Sequence, residues 1–496
     1  MASLKKSYFM KRLIILATAL LFVWVGISCK KGPTSVEEGG LVRPEDKIDV
    51  IETPDGMLTP ELQKEYTNEM IHIRLISDSS DGVAYYRTPV VITYGNNNKK
   101  SMAIFYEKRY GQGGENDVGV DGQAKVDIVY MANDRGGDGL VYDPKGMGND
   151  KIVGNESSAS EGAQYSKGSP VVFSKGNEIS VVAAAGAGAA PDKTGRGESE
   201  IKIAKGTANG SSISFGKWEE LNITNNNGKS GSEAIREYAN EKMKATLLKN
   251  GGKLALYTRW GQGKMDGDKW VLPLIVIQKI NGGVGEQGAL VLYSTNAGAS
   301  WEFGPSVVFP IQDYRSALGL SVSGNGNTVK LAAVPRVYDT KVPKPIGIYE
   351  GQLKGGETLT LKSKSSFVDS ENNYEMSKSK DGNNSYFINT RSRSGINING
   401  FIMNQMLTLA VLDGNGDTLQ SVHDMAISSI SGSGSVAVLE DGTIVTVAEE
   451  CFAAYVKQGE NRFNIVQRRF TREYAASRDK VNANEEYYNT DYGRLN

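Results

Sequence analysis

Six times between residue 71 and about residue 470 the chain repeats one order. An apolar alternating strand is followed by a Gly-, Asn- or Asp-bearing turn, a second strand, a loop, and a third strand that ends in another Gly-rich turn. The first pass reads YYRTPVVITYGN, SMAIFYEKR, KVDIVYMANDRGGDG, and the second YSKGSPVVFSKGN, EISVVAAAG, SEIKIAKGTANG. The third reads EKMKATLLKNGG, KLALYTRW, ALVLYSTNAGASW, and the fourth YRSALGLSVSGNGN, TVKLAAVPR, IGIYEGQLKGGET. The fifth is YEMSKSKDGNN, SYFINTRSR, LTLAVLDGNGDTL, and the last SGSVAVLEDG, TIVTVAEE, RFNIVQRRFT. A unit of about 65 residues built this way buries its apolar faces only by stacking on its neighbours, so the period constrains the architecture. The expected fold is all-β, a six-bladed β-propeller of four-stranded blades, in which IHIRLIS near residue 71 completes the last blade. A large β-sandwich is the alternative, and it gives no reason for six passes in one order.

The N-terminus reads as an export signal. Lys11-Arg12 precede an apolar run from Leu13 to Ile27, and small residues lead into Cys29. The run is short for a membrane span, and Gly-Ile-Ser-Cys resembles a bacterial lipoprotein box, which implies lipidation at Cys29. Met10 begins a complete signal by itself. The division expected is signal 1–28, polar tether 29–69 with a short helix near Pro60, propeller 70–471 and polar tail 472–496. The protein is then exported and lipid-anchored to the bacterial membrane, at the cell surface or its periplasmic face.

Loss of residues 1–28 removes four positive charges (Lys5, Lys6, Lys11, Arg12) and no acid, so the formal net charge of -1 becomes -5. A mildly acidic body with no basic block argues against nucleic acid as a partner. With two cysteines, of which Cys29 is committed to lipid, no disulfide framework is expected and Cys451 reads as a free thiol. The two histidines, His72 and His423, are too far apart in sequence to suggest a His-based metal site or a Ser-His-Asp triad. No cofactor is required; Asp/Asn-rich loops are compatible with calcium.

Chemistry concentrates in the first pass. Arg87 opens one strand and Arg109 closes its antiparallel neighbour, so both emerge at one edge of the sheet. A Gly-rich loop beside them carries Glu115, Asp117 and Asp121. Two guanidinium forks and a loop carboxylate suit an anion held next to a proton-transfer step, although an ordinary hairpin with surface charges has the same composition. Second strands of later passes end in Arg259, Arg336 and Arg391, and each of these is also compatible with a structural salt bridge. Ser294-Thr-Asn-Ala-Gly-Ala-Ser-Trp301 matches the Asp-box pattern, with Asn296 in the Asp place, a structural β-turn with its Trp packed between strands.

With these residues in view, the region from about residue 70 to 470 resembles the sialidase (neuraminidase) superfamily, six-bladed propellers with Asp boxes. Tyr86-Arg87-Thr88-Pro89 is similar to that family's [FY]-R-I-P motif, and IFYEKR ending at Arg109 to the segment with a further substrate-side arginine. NDVG at Asp117 resembles the acid/base loop. The resemblance implies an exo-α-sialidase that releases terminal sialic acids from glycans or glycoproteins, working as a monomer. It implies Arg87 as first clamp arginine and Asp117 as acid/base, with Glu115 and Asp121 as alternatives. Counting blades gives Arg336 as second clamp arginine and Arg391 or Arg393 as third, and leaves Glu375 as the carboxylate on a nearby first strand. Two places depart from the family pattern: Arg315-Ser316-Ala317 stands where its Glu is expected, and Ser433-Gly434-Ser435 where its nucleophilic Tyr is. Tyr374, Tyr314 and Tyr455 are possible substitutes. A catalytically silent propeller that binds anionic glycans or host proteins is therefore the alternative, and an adhesion propeller with no anion site a third.

Overall fold

The computed structural model describes most residues between 72 and 470; residues 1–71 and 471–496, and loops including 111–124, 135–149, 336–345, 366–374 and 452–463, lie outside the described residues. Among the described residues the strands form six sheets of four or more strands and one two-stranded ribbon. Sheet I runs Ala84–Thr93, Met102–Tyr110, Val126–Asn133 and Lys151–Ile152. Sheet II holds Lys167–Lys175, Glu178–Gly186 and Ser199–Asn209, with Ser212–Phe215 and Glu219–Glu220 both paired to the third strand. In sheet III, Lys253–Thr258 pairs with Lys269–Ile280, followed by Gly283–Ser294 and Glu302–Phe309. Sheet IV is Tyr314–Ser323, Thr328–Pro335, Ile346–Gln352 and Thr360–Ser365. Sheet V is Glu375–Lys378, Asn384–Arg391, Met406–Asp413 and Leu419–Ala426. Sheet VI is Ile430–Val438, Ile444–Cys451 and Asn464–Phe470, and its fourth place is taken by His72–Ser77 from the start of the domain, antiparallel to Asn464–Phe470.

Alternation explains the strands. In Met102–Tyr110, Ala103 and Phe105 face sheet II, while Met102, Ile104 and Tyr106 pack with Val445, Val447 and Ile465 of sheet VI. Both faces of the strand are thus covered, so its sequence is a near-continuous apolar run rather than a polar–apolar alternation. Each fully buried Val, Leu or Ile here contributes about 1.5–3 kcal/mol.

The third sequence repeat needs a correction. EKMKATL, expected in a strand, belongs to a helix, α1, spanning Gly231–Leu247. Ser230 caps it: its carbonyl accepts from Ala234 N (3.0 Å) and its Oγ from Glu233 N (3.2 Å), the first half of a Ser-x-x-Glu capping box. Ala234, Ile235 and Ala239 recur at helical spacing and are buried in the core of sheets II and III, and Tyr238 stacks on Phe303 at 4.0 Å. Good helix formers along EAIREYANEKMKATL outweigh the isolated strand-like pairs within it. KLALYTRW is consequently the first strand of sheet III, not the second. Cys451, expected just after a strand, closes the strand Ile444–Cys451.

The turn after Gly283–Ser294 is pinned by side chains. Ser294 Oγ accepts from Asn296 N (3.2 Å) and Gly298 N (2.9 Å), and Asn296 Oδ1 accepts from Ser300 N (2.9 Å). Ala297 and Gly298 take positive φ, and Trp301 is driven into the core against Phe173.

Candidate functional site

One end of sheets I, II, III and VI is built from a repeated backbone device. Thr88-Pro89-Val90-Val91 of sheet I and Ser169-Pro170-Val171-Val172 of sheet II occupy equivalent places in the two first strands. Thr88 and Ser169 both have φ 53°, and the register shifts across each, between Arg87 and Val90 and between Gly168 and Val171. The first strands lie side by side and run the same way: Ser174 Oγ donates to Thr93 O (2.7 Å) and Gly95 N to Gly176 O (2.7 Å). A non-glycine residue at positive φ costs about 1–2 kcal/mol, so each bulge requires something that holds it.

A buried glutamate holds each one. Glu449, on the second strand of sheet VI and 0 % exposed, accepts from Thr88 N through Oε1 and from Ser433 N through Oε2 (2.8 Å). Its Oε1 also lies 3.0 Å from Arg87 Nε. Glu107, on the second strand of sheet I, accepts from Ser169 N through Oε1 (2.6 Å) and from Arg109 Nε through Oε2 (2.7 Å). The two guanidiniums therefore sit at the same end, each against a carboxylate that also fastens the next sheet. Register agrees: Arg87 pairs with Glu107, and Tyr85 with Arg109.

Sheet III joins this end through a break in its first strand. Lys253–Thr258 and Lys264–Asp266 pair with the same neighbouring strand, and Gly261-Gln262 between them leaves it to run parallel to Val171-Val172 of sheet II. At this break Thr258 Oγ1 donates to Ser169 O, and the Arg259 guanidinium lies 3.3 Å from the centre of the Trp260 ring. Gln262 Nε2 then donates to both Val91 O and Val436 O, each at 2.7 Å, tying sheet III to sheets I and VI. Val91 N donates in turn to Ser435 Oγ (3.1 Å). Because the segments run in parallel, Arg259, three residues before Gln262, stands near the level of Arg87, four before Val91.

Of the residues expected in the site, Arg87 and Arg109 lie together at this end. Glu375 opens the first strand of sheet V in register with Ile388, whose Cδ1 lies against Gly434 of sheet VI. Arg391 closes the second strand of the same sheet, three residues beyond Ile388 towards that end. Asp117, Arg336 and Cys29 lie outside the described residues, as do Glu115, Asp121, Arg393, Tyr374 and Tyr455. Arg259 was expected at the end of a second strand and instead occupies the break in a first strand, because α1 displaces the third repeat by one element.

Glu107 and Glu449 escaped the sequence reading, although a signal was present. Ala103-x-Phe105-x-Glu107 and Val445-x-Val447-x-Glu449 have period two, which places each carboxylate on a core face where it must find partners. Tyr106 is not an activated phenol: burial pushes its pKa well up, reinforced by Asp150 and Tyr86. Among the described residues no cluster of three or more His, Cys, Asp and Glu could hold a metal ion, and no helix is long and apolar enough to cross a membrane.

No family model matches the sequence, and no curated protein matches it. Solved structures do. A Hadza microbial sialidase matches at 14% identity over 81% of this chain and 68% of that one, with a TM-score of 0.51. A Dyadobacter fermentans protein of unknown function matches at 12% identity over 80% of this chain and 97% of that one, with a TM-score of 0.52. A Trypanosoma rangeli sialidase matches at 16% identity over 79% of this chain, with a TM-score of 0.49, and this chain spans 56% of its length. The chain has a β-rich, sialidase-like fold.

Proposed function

We propose that the six sheets close into a six-bladed propeller and that the shared end of sheets I, II, III and VI binds the carboxylate of a terminal sialic acid. The cyclic order of neighbours supports closure: first strands of successive sheets touch, and sheet VI touches sheet I. The pinned turn at Ser294–Trp301 reads as an Asp box in this scheme. The observation that carries the site is the pair of guanidiniums, Arg87 and Arg109, each oriented by a buried carboxylate at one rim, with Arg259 at the same level on sheet III. Bidentate guanidinium pairing is suited to a planar carboxylate.

The reaction class is then exo-α-sialidase-like glycoside hydrolysis at the bacterial surface, with the protein held by lipid at Cys29. Asp117 donates the proton to the leaving oxygen, Arg336 and Arg391 complete the clamp, and Glu375 is the carboxylate partner on sheet V. Release of product from a fluorogenic sialoside by the purified full chain tests it. Turnover that disappears in Asp117→Asn is expected; no turnover in wild type, or undiminished turnover in Asp117→Asn, refutes hydrolysis.

A second reading, a propeller that binds sialosides without cutting them, is favoured by one observation. Where the resembling family carries its Tyr, Ser433 N is held by Glu449 and Ser435 Oγ accepts from Val91 N, so this segment serves the scaffold. Sialyllactose affinity without turnover, abolished by Arg87→Ala, distinguishes this reading from the first.

A further inference from the structure

We infer that Glu107 is a positioning residue that presets the Arg109 guanidinium for an anionic ligand while fastening sheet II beneath it; the inference rests on the anion-binding reading of this site. Glu107 is 1 % exposed, and both its oxygens are occupied. Oε1 takes the backbone N–H of Ser169 at 2.6 Å, and Oε2 takes Arg109 Nε at 2.7 Å with Nη2 at 2.5 Å. A guanidinium gripped along its Nε/Nη2 edge cannot swivel, and its rigid plane leaves the opposite edge, with both Nη1 hydrogens, directed away from the carboxylate. The Arg109 side chain is 15 % exposed against 1 % for Glu107, so what the pair shows to solvent belongs to the arginine and the carboxylate beneath it is dry.

A related arrangement occurs at Glu449, whose Oε1 takes the N–H of the positive-φ Thr88 on the next sheet and lies 3.0 Å from Arg87 Nε. Both place a buried carboxylate between a positive-φ N–H and an arginine at one end, and only at Glu107 is the guanidinium hydrogen-bonded through Nε. Sheet II shows what the carboxylate does without an arginine in the first strand: the residue in register with Arg87 is Gly168, and Glu107 pairs with Arg109 on its own strand instead. Fastening the bulge takes one oxygen of Glu107, and the other orients Arg109; in Glu449 the oxygen that fastens the bulge is also the one beside Arg87, and the other takes Ser433 N. Fixing a long side chain in advance spares a ligand about 0.5–1.5 kcal/mol of ordering, which corresponds to roughly a two- to tenfold gain in affinity.

Glu107→Gln separates the two duties, because the amide oxygen can still accept from Ser169 N while the amide NH2 faces Arg109 as a second donor. Two measurements on the full chain test the inference. The first is solvent protection of the Arg109 Nε–H resonance, which reads positioning without any ligand: protection in wild type that is lost in Glu107→Gln supports it, and protection unchanged by the substitution overturns it. The second is the affinity for sialyllactose by calorimetry. A two- to tenfold loss in Glu107→Gln that vanishes in the Arg109→Ala background supports it. An equal loss in both backgrounds means that Glu107 acts only through the scaffold, and overturns it. A wild-type protein that protects the Nε–H but does not bind sialyllactose refutes the glycan reading and leaves the positioning intact.

Discussion

Replacing Glu449 by alanine is the most demanding perturbation of this architecture. It strips the acceptor from two backbone N–H groups, Thr88 N and Ser433 N, in a place with no solvent. Each buried donor left unsatisfied costs about 1–3 kcal/mol. The ion pair with Arg87 adds less, since the Arg87 side chain is 22 % exposed and screened by water. The positive-φ strain at Thr88 is present in wild type too and adds nothing to this difference. The expected loss is about 3–5 kcal/mol, the usual range for removing one partner from a buried charged network. Glu449→Gln should cost about half as much, because one amide oxygen can still accept a backbone N–H while the NH2 opposes the other donor. Urea unfolding of the full chain, followed by tryptophan fluorescence, measures both. Glu237→Gln on the exposed face of α1 is the control and should stay within about 0.5 kcal/mol of wild type. A Glu449→Ala midpoint that implies a loss under about 1 kcal/mol would refute the claim that this carboxylate fastens sheet VI to sheet I.

Three other outcomes follow from the same structure. In Gln262→Ala, Val91 O and Val436 O lose their shared donor; a loss of about 1–3 kcal/mol in the urea midpoint is expected, and none would mean that the crossing from sheet III is ornamental. Gly298→Ala meets two obstacles, φ of 76° and a new methyl 2.7 Å from the Trp270 ring, so it should lower stability by about 1–3 kcal/mol by the same assay, whereas Gly267→Ala, with the same sign of φ and open space around it, should cost less. Glu220 supplies a pH dependence: burial pushes its carboxyl up, but hydrogen bonds from Lys202 and Ser232 outweigh that and hold it below the ordinary value. Since its folded value is depressed, the stability it contributes is present above about pH 4.3 and is lost as pH falls through the folded value, so the gap in urea midpoint between wild type and Glu220→Gln should close on acidification from about pH 5 downwards.

Local pattern determined much of the fold. Period-two alternation and Gly/Asn turns are written within a few residues, so the strands of sheets I, II, IV, V and VI fall close to where the sequence places them, and IHIRLIS joins the final sheet as its apolar pattern requires. The third repeat misled because EKMKATLL carries both strand-like pairs and helix formers, and the cap that decides between them, Ser230 with Glu233, lies upstream of the repeat. Arg87 and Arg109 were legible as neighbours because one hairpin brings them to one edge. What gives those arginines their setting was not, since Glu449 meets Thr88 across 361 residues and Gln262 meets Val91 across 171. Alternation could say that Glu107 and Glu449 face inward; only the packing of one sheet on the next could supply the N–H groups and guanidiniums that make two buried carboxylates tolerable, because a charge in a dry interior is set by its partners in space and not by its neighbours in the chain.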